Sequence, residues 1–184
     1  MPILFGYGSL MNDPFTDHYK KVSYAILVPT PDVSLRRSFN HHCIWTNSVT
    51  KKVIKHTALG LEYVPYAEAR PVNGVLVEIT DAKMEEIIKR EKGYRRIYLP
   101  MSLFVCQSSV CNRMKSVTVF IPAVLHHPTK EYPVRQEYID ICIGGFSKCS
   151  QAYVDLFMAT TEWDWDWVWG PDGSNRGRKK RNTR

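Results

Sequence analysis

A chain of 184 residues with 44% apolar and 23% charged residues has the material for one domain with a sizeable core, and no compositional bias toward disorder or fibre. No apolar run approaches the roughly 20 residues that cross a bilayer, and the N-terminus lacks the basic and apolar regions of a secretory signal; the expectation is a cytoplasmic protein with no membrane contact. The net charge of +7 suggests nucleic acid until it is located: Arg176, Arg178, Lys179, Lys180, Arg181 and Arg184 supply six of those charges. The excess therefore belongs to a tail and not to the folded body.

The opening run Pro2-Ile3-Leu4-Phe5 reads as a buried strand, broken by Gly6 and Gly8. Glycines here let the chain bend so that the amides of Ser9 and Leu10 face one cavity, a nest for an anion or a carbonyl oxygen. A tight turn with nothing bound explains the same residues. G-Y-G-S-L is no dinucleotide fingerprint, because the third glycine and an obvious helix opening are missing. A turn-rich insertion follows at 13–17, then a strand over 22–28 that Pro29 and Pro31 interrupt. The residues Arg36, Arg37, Asn40, His41 and His42 form a polar patch of unassigned conformation. A strand edge or hairpin is expected over 48–56 and a short strand over 57–62, with Gly60 as a point of close approach.

Residues 64–70 read as a loop, punctuated by Pro71-Val72-Asn73-Gly74, and 75–79 as a strand. Thr80 or Asp81 caps a helix that begins near Ala82, carries Met84, Ile87 and Ile88 as its apolar stripe and ends by Gly93. One long strand is predicted over 94–106, with 116–123 as its neighbour. Helices are predicted over 135–142 and 150–160, separated by Gly144 and Gly145. Strands clustered in this way, without strict βαβ alternation, indicate an α+β fold with a mixed or antiparallel, barrel-like sheet.

Glu91 is the carboxylate of most chemical interest. It sits near a helix C-terminus, where the backbone field disfavours an anion, and facing a cavity it would suit proton shuttling near neutral pH. Pairing with Lys92 or Arg95 on a solvated helix end is the plainer reading. His41, His42, His126 and His127 show no metal-ligand spacing, and adjacent residues on a strand point to opposite faces; no metal is expected. Five cysteines without a C-x-x-C pair read as free buried thiols. In an extended conformation the indoles of Trp163, Trp165, Trp167 and Trp169 would share one face, as an arm across the body or a stacking platform for bases. The basic segment 176–184 reads as a solvated tail, a nuclear-import patch or a weak nucleic-acid tether. An import patch would add a nuclear location to the cytoplasmic one.

Three separated pieces, F-G-Y-G-S-L at 5–10, R-E-K-G-Y-R-R at 90–96 and Y-I-D-I-C-I-G-G-F at 138–146 followed by F-M-A-T-T-E-W at 157–163, together resemble the γ-glutamylcyclotransferase family, which includes the AIG2-like proteins. The resemblance covers roughly residues 2–163 and gives a domain over 1–163, with the Trp/Asp run and tail (164–184) outside it. It implies a single-domain mixed β-barrel with flanking helices, and release of 5-oxoproline from a small γ-glutamyl amine or γ-glutamyl peptide without metal or cofactor. It further implies Tyr7, Gly8, Ser9 and Leu10 as the γ-glutamyl-binding loop and Glu91 as the acid–base residue. Tyr94 is expected to line the pocket beside Tyr7, and Arg36 to help close it. Ser9 is not expected to be a nucleophile, because its flanks are not G-x-S-x-G. Lys92, beside Glu91, is expected to point outward. The alternative is a non-enzymatic interaction or nucleic-acid-associated protein on the same fold. The sequence sets no oligomeric state.

Overall fold

A computed structural model describes residues 1–12, 19–46, 51–170 and 174–175. The insertion at 13–17, part of the expected hairpin at 48–50 and the basic tail at 176–184 lie outside the described residues.

Six strands form a curled half-barrel: β1 (Ile3–Gly6), β2 (Lys20–Leu27), β5 (Val72–Glu78), β6 (Tyr94–Pro100), β7 (Phe104–Cys106) and β8 (Ser116–Pro122), in the order β6-β8-β1-β5-β2-β7. The sheet is mixed: β1 runs antiparallel to β5 and parallel to β8. A long hairpin of β3 (Leu35–Thr46) and β4 (Val53–Tyr63) makes a second sheet, joined by β10 (Thr161–Glu162) parallel to β3. Among the described residues three helices flank the sheets: α1 (Asp81–Arg90), α2 (Gln136–Ser147) and α3 (Gln151–Thr160). The short strands β9 (Val134–Arg135) and β11 (Val168–Trp169) pair in parallel. This is the expected α+β architecture.

The central strands are apolar without alternation because both of their faces are covered. On β1, Leu4 packs with Val75, Val77, Phe146 and Phe157 beneath the helices, while Ile3 and Phe5 pack inside the curl with Leu61, Leu76, Val117 and Ile121. Burying each such side chain contributes about 1.5–3 kcal/mol. Helix α1 starts as its sequence indicates, with the Thr80 hydroxyl accepting from the Lys83 amide. Ser150 caps α3 in the same way, through the Tyr153 amide.

Four expectations are corrected. The segment 94–106 is two strands on opposite edges of the sheet, because Pro100 and the short turn Met101–Leu103 divide it. Gly144 and Gly145 do not separate helices but lie within α2. A Cβ on Gly145 would stand 2.5 Å from the Met11 carbonyl carbon, so the glycine lets α2 lie directly on the turn after β1. Asn73 and Gly74 belong to β5 and do not punctuate it; the fully buried Asn73 amide donates to Tyr153 O at 2.7 Å and accepts from Arg37. The tryptophan run is no continuous strand, since residues 165–167 form a turn before β11. It does cross the body as an arm: Trp163 packs against Phe39 and Phe157 and donates its indole N–H to Met158 O.

Candidate active site

The chain leaves β1 at Gly6 and closes a short turn over Ser9–Met11. The turn's own bonds, Met11 N–H to Gly8 O and Asn12 N–H to Ser9 O, use the later amides. Those of Ser9 and Leu10 are the first two N–H groups of the turn and stand outside this ladder. Opposite lies the end of α1. Glu91 caps the helix, its amide donating to Ile87 O at 2.8 Å, and its carbonyl accepts from the Tyr94 amide at 3.1 Å. Gly93 makes this reversal possible with φ +88, a conformation that disfavours any side chain. The His41 ring lies directly beneath it.

Tyr7, Gly8, Ser9, Leu10, Glu91 and Tyr94 line one cavity of about 40 Å³. Elements 84 residues apart in sequence thus meet there, with Leu59 of β4 and Tyr138 of α2 supplying the remaining wall. The tyrosine hydroxyls are committed to the frame. Tyr7 donates to Phe120 O at 2.6 Å and Tyr94 to Leu59 O at 2.8 Å, while Tyr138 accepts from the Leu59 amide at 3.2 Å. The Ser9 side chain also bonds the Tyr138 hydroxyl. Burial, and after it the Glu91 charge, pushes the Tyr7 phenol well above its ordinary pKa, so it stays neutral and donating. Burial does the same at Tyr94 and Tyr138.

The Glu91 side chain is 20% exposed, and its Oε1 accepts from Arg90 Nε at 2.9 Å and Nη2 at 2.7 Å. Its Oε2 has no partner among the described residues. Lys92 is exposed, so the neighbour that contacts the carboxylate is Arg90 and not Lys92.

Arg36 lies elsewhere. It pairs with Glu62 at 3.2 Å and Glu68 at 3.3 Å on the outer side of β3, and it does not line the cavity. Its neighbour Arg37 points the other way, as strand alternation requires, and is fully buried. Arg37 donates through Nη1 to Tyr7 O at 3.2 Å and Asn73 O at 2.9 Å, and through Nη2 to Asn73 Oδ1 at 2.9 Å. Its Nε donates to Thr161 Oγ1 at 2.8 Å, and the guanidinium lies over the Phe157 ring. Burial lowers its pKa to about 9, which still leaves a cation at neutral pH. The buried arginine thus anchors the loop after β1 from behind. The alternation of Leu35, Arg37 and Phe39 carries this signal, because Leu35 and Phe39 are core residues.

Among the described residues no group of three His, Cys, Asp or Glu side chains converges as a metal site would. His41 and His42 serve separate neighbours: His41 packs on Tyr94, and His42 stacks on Tyr132 and His126. The thiols divide, with Cys111 and Cys142 buried and Cys43, Cys106 and Cys149 partly exposed.

Comparison with known proteins divides sharply between sequence and structure. No family model matches the chain, and no curated protein is significantly similar to it in sequence. Among solved structures, a protein titled gamma-glutamyl cyclotransferase superposes with a TM-score of 0.58 at 13% identity, over 89% of both chains. The uncharacterized protein loc79017 from Homo sapiens gives 0.59 at 13% identity over 98% of both. YkqA from Bacillus subtilis gives 0.55 at 18% identity, covering 86% of this chain and 53% of that one. The likeness is one of fold. The chain has the mixed sheet and flanking helices of these structures, at an identity too low to carry any chemistry across.

Proposed function

We propose that the protein is a γ-glutamylcyclotransferase-like enzyme that releases 5-oxoproline from a γ-glutamyl amine or γ-glutamyl peptide. The observation that carries this reading is the meeting of Glu91 with the Tyr7–Leu10 loop in one cavity. The solved structure titled gamma-glutamyl cyclotransferase supports the same class through its fold.

The substrate brings its own nucleophile. Its α-amine nitrogen attacks the γ-carbonyl carbon, forming the lactam C–N bond while the bond to the departing amine breaks. Glu91, through Oε2, takes the proton that the attacking nitrogen loses and returns one to the leaving nitrogen. Acid–base assistance of this kind contributes about 10²–10⁴-fold. Ring closure is intramolecular, so a loop that holds the γ-glutamyl chain folded removes much of the entropic barrier. The amides of Ser9 and Leu10 are the donors for the substrate's carboxylate or for charge developing on the γ-carbonyl oxygen. Ser9 braces Tyr138 and does not attack.

At about 40 Å³ the cavity has room for a water or two, less than a γ-glutamyl group needs. Substrate entry therefore requires a wall to move. This small cavity, and the Arg90 contact on Glu91, favour the second reading, a non-enzymatic binding protein on the same fold. Incubation with γ-glutamyl amino acids, γ-glutamyl amines and glutathione, followed by assay of 5-oxoproline, separates the two. Release from any member supports the enzyme; none from any member supports the binding protein.

A further inference from the structure

Beyond the Ser9–Tyr138 wall lies a second, wider space. It is a groove of about 520 Å³ between the β3–β4 hairpin and α2, and Ser9 and Tyr138 belong to both it and the Glu91 cavity. Its walls are mostly apolar. Trp45, Ile54 and Ile141 form them, and Trp45 and Ile141 are 53% and 45% exposed with nothing packed over them in the described chain. An exposed indole and two branched side chains facing one groove mark a binding surface more than a solvated face does.

Besides Tyr138, three ionisable groups edge this groove: His56, Arg135 and Glu137. Burial, and next the Arg135 charge, push the His56 pKa down to about 4, so His56 is neutral at physiological pH. Arg135 makes no ion pair among the described residues, and its Nε is buried without a hydrogen-bond acceptor. A cation with an unmet buried donor beside an apolar wall matches an anion attached to an apolar group. Glu137 is exposed on the same rim and disfavours an acidic side chain there.

We propose that this groove receives the amino-acid half of the substrate and selects an apolar one, its carboxylate meeting Arg135 and its side chain lying against Trp45, Ile54 and Ile141. The proposal rests on the cyclotransferase reading. It deepens that reading by assigning a substrate class: γ-glutamyl dipeptides of aromatic or branched amino acids. The small, polar cysteinyl-glycine half of glutathione makes no comparable use of an apolar wall.

The test measures kcat/KM for 5-oxoproline release from γ-glutamyl-phenylalanine, γ-glutamyl-glycine, γ-glutamyl-phenethylamine and glutathione. The expected result is at least a tenfold preference for the phenylalanine dipeptide over the glycine dipeptide and glutathione, and a clear preference over the phenethylamine compound, which lacks the carboxylate. Ile54→Asp is expected to reduce the phenylalanine-to-glycine ratio about tenfold, and Arg135→Gln to erase the preference over phenethylamine. Turnover without these preferences, or variants that slow all four substrates equally, overturns the groove assignment while the cyclotransferase reading stands. If no compound yields 5-oxoproline, the catalytic reading fails, and the groove is judged by titrating tryptophan emission with γ-glutamyl-phenylalanine against Trp45→Phe. Saturable quenching that the variant loses supports the site; no quenching overturns it.

Discussion

Arg37 Nη1 donates to the carbonyl oxygens of Tyr7 and Asn73, tying the start of the loop after β1 to the start of β5 from beneath the candidate site. Among the described residues no carboxylate accompanies this cation; carbonyls, hydroxyls and an amide oxygen take its donors instead. Replacement by Met is expected to leave those acceptors buried and unpaired and to cost about 3 kcal/mol or more. Arg37→Lys is expected to recover little, because an ammonium cannot span acceptors set for a planar fork. Urea unfolding of the two variants checks this.

Arg36→Ala should behave differently although it is the adjacent residue. Its partners Glu62 and Glu68 lie on the outer side of β3, away from the cavity. The expected stability loss is about 1–3 kcal/mol, because the buried Glu62 carboxylate loses two of its donors, with kcat/KM for 5-oxoproline release unchanged. A large loss of turnover would return Arg36 to the site.

Gly93→Ala tests the reversal that aims Glu91. The glycine has φ +88, and a Cβ there would lie 2.6 Å from His41 Cε1. The substitution is expected to cost more than about 1 kcal/mol and to lower kcat, since the Glu91–Tyr94 turn must shift. Thermal unfolding and turnover of one preparation measure both.

Acid is expected to weaken the fold through His56. Its folded pKa is depressed to about 4 from the ordinary 6.5. Between those values the unfolded chain binds the proton and the folded chain does not, so stability is fully present above pH 6.5 and falls as pH drops toward 4. Burial shifts His41 in the same direction. The expected size is roughly 3 kcal/mol for His56, and His56→Gln should flatten the dependence of Tm on pH in that window.

Much of the architecture is written in local chemistry. The Thr80 cap and the buried run at 3–5 appear where the residues place them. So does the close approach of Gly60, where a Cβ would meet Asn40 and Pro122. Misread elements are those whose partners are distant. Gly145 and Asn73 look like breakers until Met11 packs on one and Arg37 and Tyr153 satisfy the other. The meeting of Tyr7–Leu10, Glu91 and Tyr94 in one cavity follows the order of the motifs that carry them. The opposed directions of Arg36 and Arg37, and the bracing of Leu59 by Tyr94 and Tyr138, depend on strand parity and on contacts across the fold.

The central claim is that Glu91 moves the proton during cyclisation. Its direct test is 5-oxoproline release by wild type and Glu91→Gln under identical conditions, with circular dichroism and Tm recorded for both. The expected result is an intact fold, with turnover reduced by about 10² or more. A well-folded Glu91→Gln protein with wild-type turnover would contradict it.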